Sequence, residues 1–384
     1  MSDRVLVTGS GAVTAAGWSV AETWAAVSEG RSAVRPLERF PLFDAPTRVG
    51  APVPGHERTN PRDDSLALAY GRVAAASALE DAGLAGSGVD LLVVANHGER
   101  RLPEVGADPT VLGPGALGAA LADHVGAAGT VVVYGACAGG TLAIGHALEV
   151  IRSGGAEVAL AGGVDCLLRE PDFFHFCNLH AMTSRDCAPE AASCPFDVRR
   201  DGFVLGDGGA FVVLESEAHL AARGGTARAE VAGFGSSQNA YHVVASPPDA
   251  QGPYRAMAGA LRDAGVDPIE VDYLNAHGTA TRDNDWCETL AIQQLFGPDT
   301  TVPVSSCKSQ LGHAMAGAGA IEAAVCVEAL RHGVVPPTSN LDEPDPRCAL
   351  DLVPRTARRM PLSIVVSNSF GFGGHCASLV LRAA

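Results

Sequence analysis

Apolar runs of strand length alternate with longer amphipathic segments along most of this 384-residue chain. The first run covers residues 4–8, and a second strand is predicted at 89–95 after a helix over 65–82. A β-branched run at 131–134 predicts a buried strand, followed by a turn of small residues and an amphipathic helix. Strands that alternate with helices in this way are typical of the α/β class.

The second half of the chain repeats the pattern of the first at a spacing of about 180 residues. The matched segments are residues 78–83 with 260–265, 89–92 with 271–274, 97–98 with 277–278, and 147–154 with 326–333. The repeat predicts a duplicated α/β architecture with an N-terminal half over 1–225 and a C-terminal half over 226–384. Because sites in such folds form at the carboxyl ends of strands, three loops should converge. They carry Cys137, the residues after Leu274, and residues 305–313.

Composition narrows the classes of partner. Apolar residues make up 47% of the chain and charged residues 18%, as in ordered globular proteins. The formal net charge of −16 argues against nucleic acid and anionic membranes as partners. No apolar run reaches the ~20 residues that cross a bilayer. With no visible secretion signal and no CxxC pair among ten cysteines, the expected location is the cytoplasm.

One cluster of potential metal ligands stands out. It contains His175, Cys177, His180, Cys187 and Cys194. Zinc is one interpretation, but the spacing fits no common zinc template, so we expect loop and core residues and no metal.

Cys137 lies where the run at 131–134 meets the helix that follows it. A helix N-terminus offers unpaired N–H groups and partial positive charge, which favour a thiolate and should lower the pKa of this cysteine. The small residues around it leave room for a carbonyl group and for backbone donors to an oxyanion. The alternative is a packed core cysteine.

Two histidines follow strands of the second half. His277 stands beside Gly278 at a strand end, where it can donate a hydrogen bond into a cleft or act as a structural residue. Lys308, the only lysine in the chain, precedes His313 by five residues. Glu288, on the helix predicted after His277, could neutralise Lys308 in a buried pair that fixes these loops.

A glycine-rich segment with two phenylalanines follows the last predicted strand but one. It contains Phe370, Gly371, Phe372 and Gly373. The pattern predicts a mobile apolar flap at the mouth of a site, and the alternative is an ordinary glycine-rich turn.

Four motifs in order resemble those of the β-ketoacyl–acyl carrier protein synthases of the thiolase superfamily, in the elongating branch with a Cys-His-His triad. They are FDVRRDGFVLGDGGAFVVLE, NAHGTATRDNDWCE, CKSQLGHAMAGAGAIEAA and NSFGFGGHCASLVL. The resemblance covers nearly the whole chain. It implies the thiolase-like fold, in which duplicated βαβαβ halves form a layered α-β-α-β-α sandwich.

The resemblance also implies roles. Cys137 would accept the acyl group, while His277 and His313 would bind the malonyl thioester carbonyl and assist decarboxylation. Lys308 and Glu288 would support this triad. Backbone N–H groups of Cys137 and Phe372 would form the oxyanion hole.

The implied reaction is decarboxylative condensation of an acyl thioester with malonyl–acyl carrier protein, without a metal or redox cofactor. The implied partners are acyl carrier protein, docked on a local arginine patch, and a second ketosynthase-like chain in a homodimer or heterodimer. Two alternatives stay open: an acyltransferase that uses Cys137 without condensation, and a subunit of a ketosynthase/chain-length-factor complex.

The chain departs from the family pattern at three places. Ala138 and Gly139 replace the usual Ser or Thr and Ser after the nucleophile, which predicts a wider or less polar pocket. The strand end before the Cys137 helix reads Asn-His-Gly-Glu-Arg at 96–100, and the GFGG run is followed by His375 and Cys376. These differences suggest polyketide or other secondary metabolism.

Overall fold

The computed structural model describes residues 4–55, 65–100 and 111–384. The helices in these residues are α1 (Val20–Ser28), α2 (Leu66–Asp81), α3 (Pro114–Val125), α4 (Gly139–Arg152), α5 (Glu170–Asn178), α6 (Glu217–Arg223), α7 (Gln251–Ala264), α8 (Arg282–Phe296), α9 (Lys308–Leu311) and α10 (Ala318–His332).

The strands of the N-terminal half are β1 (Val5–Val13), β2 (Arg35–Pro36), β3 (Val49–Gly50), β4 (Val89–Ala95), β5 (Glu99–Arg100), β6 (Val111–Leu112), β7 (Ala127–Val133), β8 (Val158–Asp165) and β9 (Gly208–Ser216). Those of the C-terminal half are β10 (Ala229–Gln238), β11 (Tyr273–Asn275), β12 (Pro303–Ser305), β13 (Val334–Val335), β14 (Asp351–Leu352), β15 (Arg358–Arg359), β16 (Ile364–Phe370) and β17 (His375–Ala383).

The two halves contain the same arrangement of strands. In the first half β1 and β9 pair antiparallel, β9 and β8 pair antiparallel, and β8, β4 and β7 are parallel. In the second half β10, β17, β16, β11 and β12 repeat this order and these directions. Antiparallel pairing of β1 with β10 joins the halves into one continuous sheet. The duplication predicted from the sequence is thereby confirmed.

The apolar residues form layers on the faces of this sheet. One cluster joins α4 and α10 to strand faces from both halves, through residues such as Ile144, Val325 and Leu379. The opposite faces of the N-terminal strands pack on α2 and α3, and those of the C-terminal strands pack on α7 and α8. Two central helices between two sets of strands, with helices outside, form the expected α-β-α-β-α sandwich.

The prediction of a buried strand at 131–134 was wrong. β7 is the terminal strand of the sheet, its residues are half-buried or exposed, and the side chain of Tyr134 lies 64% exposed. A β-branched run has the same composition in a central strand and in an edge strand, so the sequence could not separate them.

The helix predicted over 65–82 is α2 and the strand predicted at 89–95 is β4, whereas the first strand, predicted over 4–8, continues to Val13. Among the described residues, no helix is both long and apolar enough to cross a membrane.

Candidate active site

Cys137 lies in a short 3₁₀ turn, residues 136–138, between β7 and α4. Ala136 begins this turn with φ of +46°, a left-handed conformation that a side chain rarely adopts. Strain of this kind is found at functional sites that the surrounding structure holds in place. The turn places the Cys137 side chain among apolar residues, and the residue is only 3% exposed.

Burial controls the protonation of this thiol. It raises the pKa of Cys137 to about 12, while a hydrogen bond from the backbone N–H of Phe372 and the charge of Lys308 oppose the increase. The N–H of Cys137 itself also lowers the pKa of the thiol. The predicted lowered pKa was therefore wrong, because the helix terminus is a weaker influence than desolvation. The resting sulfur is a neutral thiol.

His277 is fixed through its backbone rather than its ring. The N–H groups of His277 and Gly278 donate to the two carboxylate oxygens of Glu288, each at 2.9 Å. The Asn368 side chain donates to the same carboxylate at 3.1 Å. Burial raises the pKa of Glu288 to about 7, and these hydrogen bonds oppose the increase.

His313 belongs to the loop between α9 and α10. Its N–H donates to the carbonyl of Val204 at 2.8 Å, and its carbonyl accepts from Gly206 at 3.0 Å. The His277 and His313 rings lie 5.3 Å apart between centroids, nearly perpendicular. Burial, with the charge of Lys308 second, lowers the pKa of both rings well below the ordinary value. Both are neutral imidazoles at pH 7.

The predicted Lys308–Glu288 pair was wrong. The Lys308 ammonium contacts the carboxylate of Glu322, on α10, and both side chains are 2% exposed. Burial raises the pKa of Glu322, and the charge of Lys308 opposes that increase. Glu288 instead holds the His277 loop, so the two carboxylates support different parts of the site.

The glycine-rich segment closes one side. Gly371 donates its N–H to the carbonyl of His375 at 2.6 Å, and Gly373 donates to the carbonyl of Val243 at 2.7 Å. The Phe370 ring lies 5.8 Å from that of His277. The segment therefore contacts both the sulfur, through Phe372, and a histidine. That it moves as a flap stays a prediction.

These groups share one cavity of about 490 Å³. Its lining brings together Cys137, His277, His313, Phe370, Gly371 and Phe372, although Gly373 is not among the lining residues. Thr279, Thr281 and Asn239 add polar groups. The three loops predicted to converge do so.

The sequence analysis did not identify two apolar residues that contact the Cys137 and His313 side chains. Phe203 packs edge-on against the His313 ring at 5.4 Å. The Met315 sulfur lies 4.0 Å from the Cys137 sulfur. Met315 stands two residues after His313, and its counterpart in the first half is Ala136, the residue before Cys137. The repeat therefore contained the signal that could have located it.

We predicted a wider or less polar pocket beside the nucleophile, and at Gly139 the first alternative is wrong, while the second stays a prediction. A Cβ added to Gly139 would lie 2.8 Å from the Cβ of Ala95, so neighbouring atoms already fill that space. Ala138 is fully buried, and neither residue lines the described cavity. Among the described residues, no three His, Cys, Asp or Glu side chains come together as metal ligands.

Comparison with known proteins gives consistent matches. Residues 2–219 match the N-terminal domain of β-ketoacyl synthases, and residues 228–342 match their C-terminal domain. The chain is 36% identical to 3-oxoacyl-[acyl-carrier-protein] synthase 2 of Synechocystis sp. over 408 residues, covering 99% of this chain and 98% of that protein.

Solved structures give the same result. The ishigamide ketosynthase/chain length factor has a TM-score of 0.90 and 33% identity, with full coverage of both chains. A type II polyketide ketosynthase, solved with its acyl-carrier protein and bound to the hexaketide, has a TM-score of 0.90 and 31% identity, again with full coverage of both. With matches across both halves, this chain belongs to the β-ketoacyl synthase family and is a condensing acyltransferase.

Proposed function

We propose that this protein condenses an acyl thioester with malonyl–acyl carrier protein to give a β-ketoacyl thioester, in polyketide or related secondary metabolism. The observation that carries the proposal is the shared cavity. One buried thiol, two neutral imidazoles and two backbone donors to the sulfur surround a single space.

The first step transfers the acyl group to Cys137. The sulfur attacks the thioester carbonyl, the carrier thiolate leaves, and the thiol proton passes to that thiolate. A thiol with a pKa of about 12 cannot ionise at pH 7 without help, and a neutral imidazole in the same cavity can carry the proton.

The second step removes carbon dioxide from the malonyl group. Breaking the C–C bond leaves its electron pair as an enolate, whose oxygen carries the developing charge. Neutral His277 and His313 each offer an N–H donor. A preorganised donor to such an oxygen typically contributes ~3 kcal/mol to transition-state stabilisation.

The third step forms the new C–C bond. The enolate carbon attacks the carbonyl of the Cys137 thioester, and the N–H groups of Cys137 and Phe372 receive the oxyanion. Collapse of this intermediate releases the thiolate of Cys137, which regains a proton. Lys308 with Glu322, and Glu288 with the His277 backbone, support the loops that hold these donors.

The proposed substrates arrive on the phosphopantetheine arm of acyl carrier protein, and the chemistry above uses no further cofactor. The family relatives named for acyl-carrier-protein substrates, and the ketosynthase solved with its carrier, support this assignment. Thr279 and Thr281 line the cavity where the arm would pass. Arg282, exposed beside them, offers a positive charge to an acidic carrier.

A second ketosynthase-like chain is the other proposed partner. Within the described part of the chain no strand pairs with the outer edge of β7, which is followed by the exposed Tyr134. Edge strands are ready templates for pairing with another chain. A homodimer and a heterodimer of the ketosynthase/chain-length-factor kind both fit this edge. Cys137 favours a catalytic role in either assembly.

The test uses purified protein with acyl-loaded and malonyl-loaded carrier protein. We expect release of carbon dioxide and a β-ketoacyl product from the wild type, and no β-ketoacyl product from Cys137→Ala, which has no thiol to accept the acyl group. An acyltransferase without condensation would load Cys137, seen by intact mass, and would keep loading after His277→Ala or His313→Ala without ever forming the β-keto product. Absence of product with every primer tried would overturn the proposal.

A further inference from the structure

The loop at the end of β4 carries His97 and is the counterpart, in the N-terminal half, of the loop that carries His277. His97 donates its backbone N–H to one oxygen of Asp165 at 2.9 Å, and its ring Nδ1 lies 2.7 Å from the other. Asp165 ends β8 and is 1% exposed, whereas the His97 side chain is 32% exposed. One imidazole therefore binds a buried carboxylate from the surface side.

On its buried side, the same carboxylate binds the turn that contacts the nucleophile. The oxygen that faces the His97 ring also accepts the backbone N–H of Ala316 at 2.7 Å. Ala316 follows Met315, which has a φ of +48° and whose sulfur lies 4.0 Å from that of Cys137. A left-handed residue is held only where its surroundings fix it, and the Asp165 bond fixes the next peptide.

Charge strengthens this link. The Asp165 carboxylate raises the pKa of His97, burial opposes the increase, and Asp172 on α5 adds to it. A protonated imidazole and a carboxylate make a stronger and shorter hydrogen bond than neutral partners do. Asp165 also enters the electrostatics of the thiol itself, because its charge raises the pKa of Cys137.

We infer that His97 and Asp165 are positioning residues that hold the Met315–Ala316 turn against the Cys137 thiol. This inference rests on the proposed condensation and adds residues that its mechanism does not use. His97 also stands at the segment, 96–100, where the chain departs from the family pattern.

The test compares two substitutions of His97. His97→Asn keeps a donor near the position of Nδ1, while His97→Phe keeps a ring and removes the donor. We expect His97→Phe to lower kcat for condensation by about tenfold, with KM for malonyl carrier protein within about twofold. His97→Asn should recover kcat to within about threefold of the wild type.

Two further arms separate positioning from loss of folding. The rate at which iodoacetamide alkylates Cys137 should fall in His97→Phe and recover in His97→Asn. His124→Leu, at another exposed histidine of the same half, should change neither rate. Circular dichroism and the thermal midpoint establish that each variant is folded.

Asp165→Asn is the complementary variant, expected to lower kcat at least as much as His97→Phe. Unchanged kcat in folded His97→Phe, or equal losses in His97→Phe and His97→Asn, would overturn the inference while leaving condensation intact. Wild-type protein that forms no product would instead overturn the proposed function.

Discussion

The two halves share a backbone and differ in their chemistry. Each places a left-handed residue in a 3₁₀ turn before its central helix, Ala136 at φ +46° and Met315 at φ +48°. Cys137 follows Ala136 in the first turn, whereas Ala316 stands at the equivalent position of the second turn and the Met315 thioether at the position of Ala136. Only the thiol receives the hydrogen bond from Phe372. Duplication thus supplies two equivalent positions, and side chains decide which of them reacts.

The equivalent histidine loops show a sharper contrast. The His97 ring binds Asp165, and this carboxylate raises its pKa. No carboxylate binds the His277 ring among the described residues. Glu288 accepts the backbone N–H groups of the loop and the Asn368 amide, and burial lowers the pKa of the ring. One histidine is suited to holding charge and the other to donating a hydrogen bond as a neutral group. The partner of the ring, rather than its place in the repeat, sets its role.

The largest expected loss of activity follows from substituting the nucleophile in the first of the two 3₁₀ turns. Cys137→Ala should lower condensation by roughly 10⁴-fold or more, since it removes the thiol that receives the hydrogen bond from the backbone N–H of Phe372. Adding Ala316→Cys, at the equivalent position of the second turn, to that variant should not restore activity. Product formation and intact mass after incubation with acyl carrier thioesters measure both. Restored acyl loading at position 316 would show that the two turns are interchangeable.

The next largest effect is on the rate of decarboxylation, which should differ between variants of His277 or His313 and variants of His97. His277→Ala and His313→Ala should each slow decarboxylation of malonyl carrier protein by roughly 10²- to 10³-fold, because each removes one donor to the enolate. His97→Phe should leave that step within about threefold. Carbon dioxide release without primer measures it. Equal losses at His97 and His277 would contradict the division of roles.

A third prediction concerns stability in the C-terminal half. Lys308→Met should lower the free energy of unfolding by about 3 kcal/mol, because it leaves Glu322 buried without its cation. The double variant Lys308→Met, Glu322→Leu should lose less than the single one. Urea unfolding followed by circular dichroism measures both. A double variant less stable than Lys308→Met would show that the pair is favourable in itself.

The smallest effect is a pH dependence at Glu288. Its pKa rises from an ordinary 4.5 to about 7 on folding, so the folded state binds the extra proton between these values. Stability should therefore fall as pH rises through this interval. Glu288→Gln should remove about 2 kcal/mol of the loss between pH 5 and pH 8.

The matched control for this slope lies in the first half. Burial opposes ionisation of Glu215, but hydrogen bonds from Arg223, Thr8 and His219 lower its pKa. Its stabilisation is present above the ordinary pKa and is lost only as pH falls below it. Glu215→Gln should thus change overall stability without changing the slope between pH 5 and pH 8. An unchanged slope in Glu288→Gln would show that this carboxylate stays ionised.

The local sequence pattern was sufficient to predict the alternation of strands and helices, the internal repeat and the convergence of the three loops. Each rests on period and spacing within short segments, which do not depend on distant contacts. Cys137, His277 and His313 could be picked out for the same reason, since each stands close to a glycine in a short loop next to a predicted strand or helix. Their roles stay predictions until the variants above are made.

What the sequence could not give depends on tertiary structure. The partner of Lys308 was misassigned because α8 and α10 both carry a carboxylate, and only the fold decides which one faces the ammonium. The pKa of Cys137 had the wrong sign because burial outweighs the helix terminus. Phe203 comes from a segment 110 residues before His313, and the spacing of neither residue reveals their contact.

The burial of Lys308 has a practical consequence. Thioester cargo is electrophilic and can acylate exposed amines nonspecifically. This chain presents no lysine ammonium to such cargo, because its one lysine is enclosed with Glu322. A mass increase after exposure to an activated acyl donor can therefore be assigned to sulfur far more directly than in a lysine-rich enzyme.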